Sequence, residues 1–204
     1  RLDIALGEGG ISCGQFVEIS GGESSGKTTL CQHIIAEAQQ MGRQCAWIDA
    51  DQTFNPGYAL RCGVRLERLY YASPAYAEQA LEYAEVLSRS DAGNVVVLDS
   101  IDALTPRGDF DLPLGMANLA SPGAQDSSDK LLSLALRRLT PAMQKNQATI
   151  FFTRRAQVQS SEAYHQLSTH LARLALKLHA GLRLRLEQAG LIQQNGQIIG
   201  QKLQ

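Results

Sequence analysis

The first residues in this chain that can do chemistry are consecutive: Gly21, Gly22, Glu23, Ser24, Ser25, Gly26, Lys27 and Thr28, followed by Thr29. The first eight satisfy the spacing G-x-x-x-x-G-K-[ST] in full. Glycines let the backbone curl so that successive N–H groups point inward at phosphate oxygens, and a helix beginning at the lysine adds the partial positive charge of its N-terminus. Read this way, Lys27 reaches the β- and γ-phosphates of ATP and the Thr28 hydroxyl ligates Mg2+. Magnesium and its waters need a further carboxylate beside the phosphates, and Asp99, which closes the apolar run VVVLD, stands where one is required, acting through water. Hydrolysis needs a group that orients or deprotonates the attacking water. Asp51 is the candidate for that role together with Lys27, and Asp49 is the rival that hydrogen-bonds within the fold.

These residues need elements to hold them. Apolar runs rich in β-branched or aromatic residues recur at 15–20, 44–49, 68–72, 94–99 and 148–153, and stretches of helical spacing follow at 27–41, 75–89 and 127–146. That alternation predicts βαβ units and a mostly parallel central sheet flanked by helices, in the α/β class. Near-continuous apolarity in the strands fits burial on both faces. From Leu174 the pattern becomes strict alternation, L-A-L-K-L at 174–178 and L-R-L-R-L at 182–186, which predicts one-sided strands and a sheet that turns antiparallel. Asn195-Gly196 between two short apolar runs predicts a terminal hairpin. Two polar stretches, 105–126 and 154–170, follow the C-terminal ends of strands, where open α/β sheets carry their functional loops.

A chain of 204 residues with 44% hydrophobic content can bury one core, so 1–204 is expected to be a single domain. It has no apolar run long enough to span a bilayer and no secretory layout at its start, so a cytoplasmic, soluble protein is expected. Cys13, Cys31, Cys45 and Cys62 match no zinc or redox spacing and read as reduced, mostly buried thiols. His33, His165, His170 and His179 form no ligand cluster. Net charge of −1 conceals a split: residues 1–136 hold 9 Lys/Arg against 18 Asp/Glu, whereas 137–204 hold 10 against 2. A basic C-terminal third suits a polyanion partner or, equally, a subunit interface with an acidic face.

Several stretches occur together in one order: GGESSGKTTL, CAWIDAD at 45–51, NPGYA at 55–59, VVVLDSIDALTP at 95–106 and LALKLHAGLRL at 174–184. In these the chain resembles the bacterial RecA recombinase family, from residue 2 to the hairpin near 200. The resemblance implies a RecA-like ATPase core that binds single-stranded DNA and assembles as a filament with ATP between neighbours. It further implies that Tyr58 stacks on the adenine and Asp51 takes the catalytic carboxylate position. Loops 107–126 and 154–170 correspond to the DNA-binding loops, and Lys177 lies near the subunit interface. The residues given hold neither the N-terminal helix and strand by which family members grip a neighbour nor their small C-terminal domain. Trimming and natural reduction account for that equally.

The chain departs from the family pattern in ways that bear on function. Asp51 stands where the family has Glu, withdrawing the carboxylate by about 1.5 Å, and slow hydrolysis is expected. Thr153 and Arg154 replace an Asn-Gln pair whose Gln links the γ-phosphate to DNA in the family; Arg154 is then a candidate for phosphate or for DNA backbone. Asp109, Asp111, Asp126 and Asp129 make the first loop acidic, leaving Arg154, Arg155, Arg173, Arg183 and Arg185 as DNA candidates. Three functions remain in view. One is a DNA-stimulated ATPase of homologous recombination and repair. Another is a RecA paralogue that binds ATP and regulates or scaffolds a repair assembly, with a RecA-type filament or a translesion polymerase as partner. The last is a P-loop kinase or transport ATPase acting on something other than DNA.

Overall fold

The structure is a computed structural model, and it describes residues 4, 6–7, 9–90, 94–111, 124–155, 176–194 and 197–203. In chain order the elements are β1 (Phe16–Gly21), α1 (Lys27–Gln40), β2 (Cys45–Asp49), α2 (Pro56–Arg61), β3 (Leu69–Ala72), α3 (Ala77–Arg89), β4 (Val95–Asp99), α4 (Arg107–Phe110), α5 (Ala124–Asn146), β5 (Thr149–Arg155), β6 (Ala180–Leu186), β7 (Gln188–Gln194) and β8 (Gln197–Leu203). Single 3-10 turns occupy Leu66–Arg68 and Ile101–Ala103.

Six strands form one sheet in the order β3-β2-β4-β5-β1-β6, and every pairing in it is parallel. Side chains along each strand alternate between two cores. Phe16, Ala46, Ile48, Val96, Leu98, Ile150 and Phe152 pack with Ala80, Leu81 and Ala84 of α3 and Leu132, Leu136, Leu139 and Met143 of α5. Val17, Ile19, Cys45, Trp47, Val97 and Phe151 pack with Cys31, Ile35 and Ala36 of α1 and Ala59 of α2. Helices on both faces explain the continuous apolarity of the strands, since neither side of the central ones meets water. The α/β class, the five predicted strands and the three predicted helices are all present.

Four expectations are corrected. β6 runs parallel to β1, with Val17 opposite Leu182 and Glu18 opposite Arg183, so the sheet does not turn antiparallel there. An alternating pattern reports a one-sided strand and is silent on its direction. Among the described residues the antiparallel part is confined to β7 and β8, a separate two-stranded sheet; Asn195 and Gly196, where the turn is expected, lie outside the described residues. Second, 176–179 is helical rather than the continuation of a strand. Only Leu176 there is fully buried, in the α3/α5 core, while Lys177 and Leu178 are exposed, so the alternation of residue types does not track burial. Third, Asp126 and Asp129 belong to α5 rather than to a loop. Fourth, β5 extends to Arg155, which makes Arg154 and Arg155 strand residues. The remainder of the second loop, 156–170, and residues 112–123 of the first lie outside the described residues.

Candidate nucleotide site

Because the sheet is parallel, the C-terminal ends of β1, β2, β4 and β5 lie along one edge, and there the candidate residues converge. β1 turns into the P-loop at Gly21. A Cβ on Gly21 would strike Ser25 Oγ and come within 2.7 Å of the Leu186 carbonyl oxygen, so only glycine fits. Gly26 has φ 80° and ψ 15°, the left-handed conformation that hands the chain into α1 at Lys27. Lys27 Nζ donates to the carbonyl oxygens of Gly21 at 3.1 Å and Gly22 at 2.7 Å. Burial lowers the Lys27 pKa, with the Asp99 carboxylate opposing. Ser25 Oγ is buried in the loop with no hydrogen-bond partner among the described residues.

Thr28, on the first turn of α1, donates to Asp99 Oδ2 at 2.8 Å. Thr153, fully buried at the end of β5, donates to Asp99 Oδ1. Burial raises the Asp99 pKa; these two hydroxyls counter it, and the carboxylates of Asp51 and Asp49 add to the rise. Asp99 is joined to Ser100 by a cis peptide bond. Ser100 Oγ in turn donates to Asp51 Oδ1 at 3.1 Å, and the Asp51 N–H donates to the Asp99 carbonyl at 3.1 Å. Asp51 therefore stands beside the Asp99–Thr28 pair, although 47 residues lie between it and Asp99.

Asp49 plays the structural part expected of it. Its carboxylate accepts from Thr53 N at 3.1 Å, Phe54 N at 3.0 Å and the Tyr71 hydroxyl at 2.9 Å. Phe54 packs between Trp47 and Tyr71, with ring centroids 5.2 and 5.3 Å away, and this anchors the loop that carries Asp51. Asn55 caps α2 by accepting from Tyr58 N at 2.9 Å. The Tyr58 hydroxyl lies 3.1 Å from Thr29 Oγ1, at the first turn of α1.

The arginines separate by the pleat of β5. Phe151 faces the α1 core, so Thr153 and Arg155 share that face, whereas Arg154 follows Phe152 to the opposite side. There Arg154 pairs with Glu18 at 3.3 Å, both side chains largely buried. Arg155 pairs with Glu23 of the P-loop at 3.5 Å, both exposed, and its N–H donates to Asp102 Oδ2 at 2.6 Å. Burial raises the Asp102 pKa, with that N–H and the charges of Arg154 and Arg155 opposing. Arg183 and Arg185 are exposed on β6 opposite Glu18 and Ser20, and Arg185 pairs with Glu187 at 2.7 Å. Arg173 lies outside the described residues. Thr153, Ser100 and Asp102 are the positioning groups that sequence reasoning missed. Carrying the pleat of β5 as far as Arg155 would have shown Thr153 and Arg155 on one face. Nothing local signals Ser100 or Asp102.

The donor set fits a magnesium-bound nucleoside triphosphate. A loop cradle that a Cβ would fill, an unpartnered serine hydroxyl inside it, a half-buried ammonium, and a threonine hydroxyl paired with a buried carboxylate are hard oxygen donors and anion-binding groups side by side. No group of three or more His, Cys, Asp or Glu suited to a metal occurs among the described residues, so any cation here would be shared with phosphate and water. Cys31 and Cys45 are buried, with Cys45 pushed up to about 11 by burial, and play no part in the site.

Fold and site together define an α/β protein built around a parallel sheet with a P-loop at the C-terminal end of its first strand. The RecA N-terminal domain family model matches residues 1–204, and the chain belongs to that family. It is 43% identical over 202 residues to Protein RecA of Chloroflexus aurantiacus, covering 99% of this chain and 56% of that one. Similarity to Protein RecA of a Roseiflexus species is 43% over 201 residues, 98% of this chain and 55% of the relative. Protein RecA 2 of Myxococcus xanthus is 40% identical over 201 residues, 98% and 54% respectively. The chain thus spans about half the length of these curated relatives. No helix among the described residues is long and apolar enough to cross a membrane.

Proposed function

We propose that this chain binds ATP with Mg2+ in the P-loop and hydrolyses it as a DNA-stimulated ATPase of homologous recombination and repair, acting as a filament on single-stranded DNA. The observation that carries the reading is the contact of Thr28 with Asp99 at 2.8 Å, with Asp51 held beside it through Ser100. Backbone N–H groups of residues 21–26 and the Lys27 ammonium would hold the phosphates of a bound nucleotide, and Thr28 and Asp99 would hold its magnesium, Asp99 through water. Tyr58, joined to Thr29, borders the base. When bound, magnesium neutralises charge on the phosphates and fixes their orientation. Asp51 orients and deprotonates the water; its short side chain, bonded to Ser100, makes slow turnover the expectation. The basic C-terminal third, with Arg183 and Arg185 exposed on one strand face and Arg154, Arg155 and Arg173 nearby in sequence, supports contact with a polyanion.

One observation favours a second reading, an ATP-binding RecA paralogue that regulates or scaffolds a repair complex with a RecA-type or polymerase partner. Two of the arginines at the head of the second loop are engaged by carboxylates of this chain, Arg154 by Glu18 and Arg155 by Glu23. The separating experiment is steady-state ATP hydrolysis with and without single-stranded DNA across a salt series, with Lys27→Ala and Asp51→Asn as blanks. Turnover raised by DNA and weakened by salt supports the recombinase. ATP binding with no response to DNA sinks it in favour of the paralogue.

A further inference from the structure

We propose that Arg155, rather than Arg154, is the arginine of this site that binds the terminal phosphate of the nucleotide, and that Glu23 holds it in reserve until a triphosphate arrives. This deepens the nucleotide reading above and rests on it. The argument starts from the pleat of β5. Thr153 is committed to the nucleotide face by its bond to Asp99, and period two then puts Arg155 on that face and Arg154 on the other. Arg154 is spent there on Glu18, largely buried, and breaking that pair to reach a phosphate would strand a buried carboxylate.

Arg155 is differently placed. In the parallel register its Cα lies opposite Gly21, the first residue of the P-loop, one strand spacing of about 4.8 Å away. The Gly21 carbonyl is one of the two that hold Lys27 Nζ, at 3.1 Å, so the arginine from the end of β5 and the lysine from the start of α1 approach one locus. The Arg155 backbone is fixed by the 2.6 Å bond from its N–H to the carboxylate of Asp102, an exposed residue of the 3-10 turn that follows β4.

The guanidinium rests on Glu23, a residue of the loop that wraps the phosphates, at 3.5 Å. Their side chains are 63% and 81% exposed, and an ion pair so exposed to water is cheap to exchange. A terminal phosphate group offers the planar fork of arginine two oxygens at once and more negative charge than a carboxylate. The exchange moves no backbone, because only the side chain changes partner. ADP, ending one phosphate sooner, leaves Arg155 on Glu23, and ATP takes it. The residue thus confers preference for triphosphate over diphosphate.

The test compares ATP and ADP affinities, each with Mg2+, by calorimetric titration of wild type, Arg155→Ala, Arg155→Lys and Glu23→Gln, with thermal melts to confirm folding. Arg155→Ala is expected to weaken ATP about tenfold or more while leaving ADP within about twofold, with Arg155→Lys in between. Glu23→Gln, which frees the guanidinium, is expected to strengthen ATP relative to ADP. Equal weakening of both nucleotides by Arg155→Ala, or of neither, overturns the assignment while leaving the nucleotide site intact. A wild-type chain that binds neither nucleotide overturns the site and the assignment together.

Discussion

Replacing Thr153 by valine deletes one hydroxyl and keeps the branched shape of a fully buried side chain. That hydroxyl is one of two donors to Asp99, the other being Thr28 at 2.8 Å, and the carboxylate is itself buried. Removing one donor from a buried charged acceptor costs about 1.5–3 kcal/mol. In a two-state unfolding that is roughly 10- to 150-fold in the equilibrium constant. The sign with pH follows from Asp99, whose pKa already stands above its unfolded value through burial. Between those two values the folded state binds more protons, so stability is lost as pH rises through the window. The variant lifts the folded value further. Its deficit is therefore full at pH 8 and shrinks as pH falls through the Asp99 titration. Urea unfolding of wild type, Thr153→Val and Thr153→Ser at several values from pH 4 to pH 8 measures it, serine being the variant that retains the hydroxyl. A deficit independent of pH, or equally large in serine, would refute the reasoning, because lost packing rather than a lost donor would then account for it.

Arg154→Ala leaves Glu18 buried without its partner and is expected to destabilise the fold by roughly 3–5 kcal/mol, seen as a marked drop in melting temperature. Replacing both residues by methionine should recover most of it. An alanine variant as stable as wild type would show the pair contributes nothing. Gly21→Ala forces a methyl against Ser25 Oγ and the Leu186 carbonyl, so it should cost about 1–3 kcal/mol and weaken nucleotide binding with it. Unchanged melting and unchanged affinity would contradict the close approach of β1 to the end of β6.

The P-loop was legible in the sequence because its chemistry is local: eight consecutive residues supply the curl, the charge and the helix start. The five apolar strands were legible for the same kind of reason, since burial on both faces writes itself into each run separately. Asp99 and Asp51 could be picked out as neighbours of the P-loop because the ends of strands are where such groups can stand. Other features were not local. Period-two alternation around Leu182 and Leu184 reports a one-sided strand and carries no direction, so that β6 joins β1 in parallel is visible only in the pairing itself.

The same limit governed the site. Thr153 meets Asp99 across 54 positions and Thr28 meets it across 71, and both contacts exist only because the parallel register brings the ends of β1, β4 and β5 level. Arg154 and Arg155 are indistinguishable as a sequence dipeptide. The pleat of one strand sends them to opposite faces, one to a buried glutamate and the other to the P-loop. Residue types and their spacing determined which chemistry this chain carries. Strand register and pleat, properties of hydrogen bonding between segments far apart in the chain, decided which side chains share it.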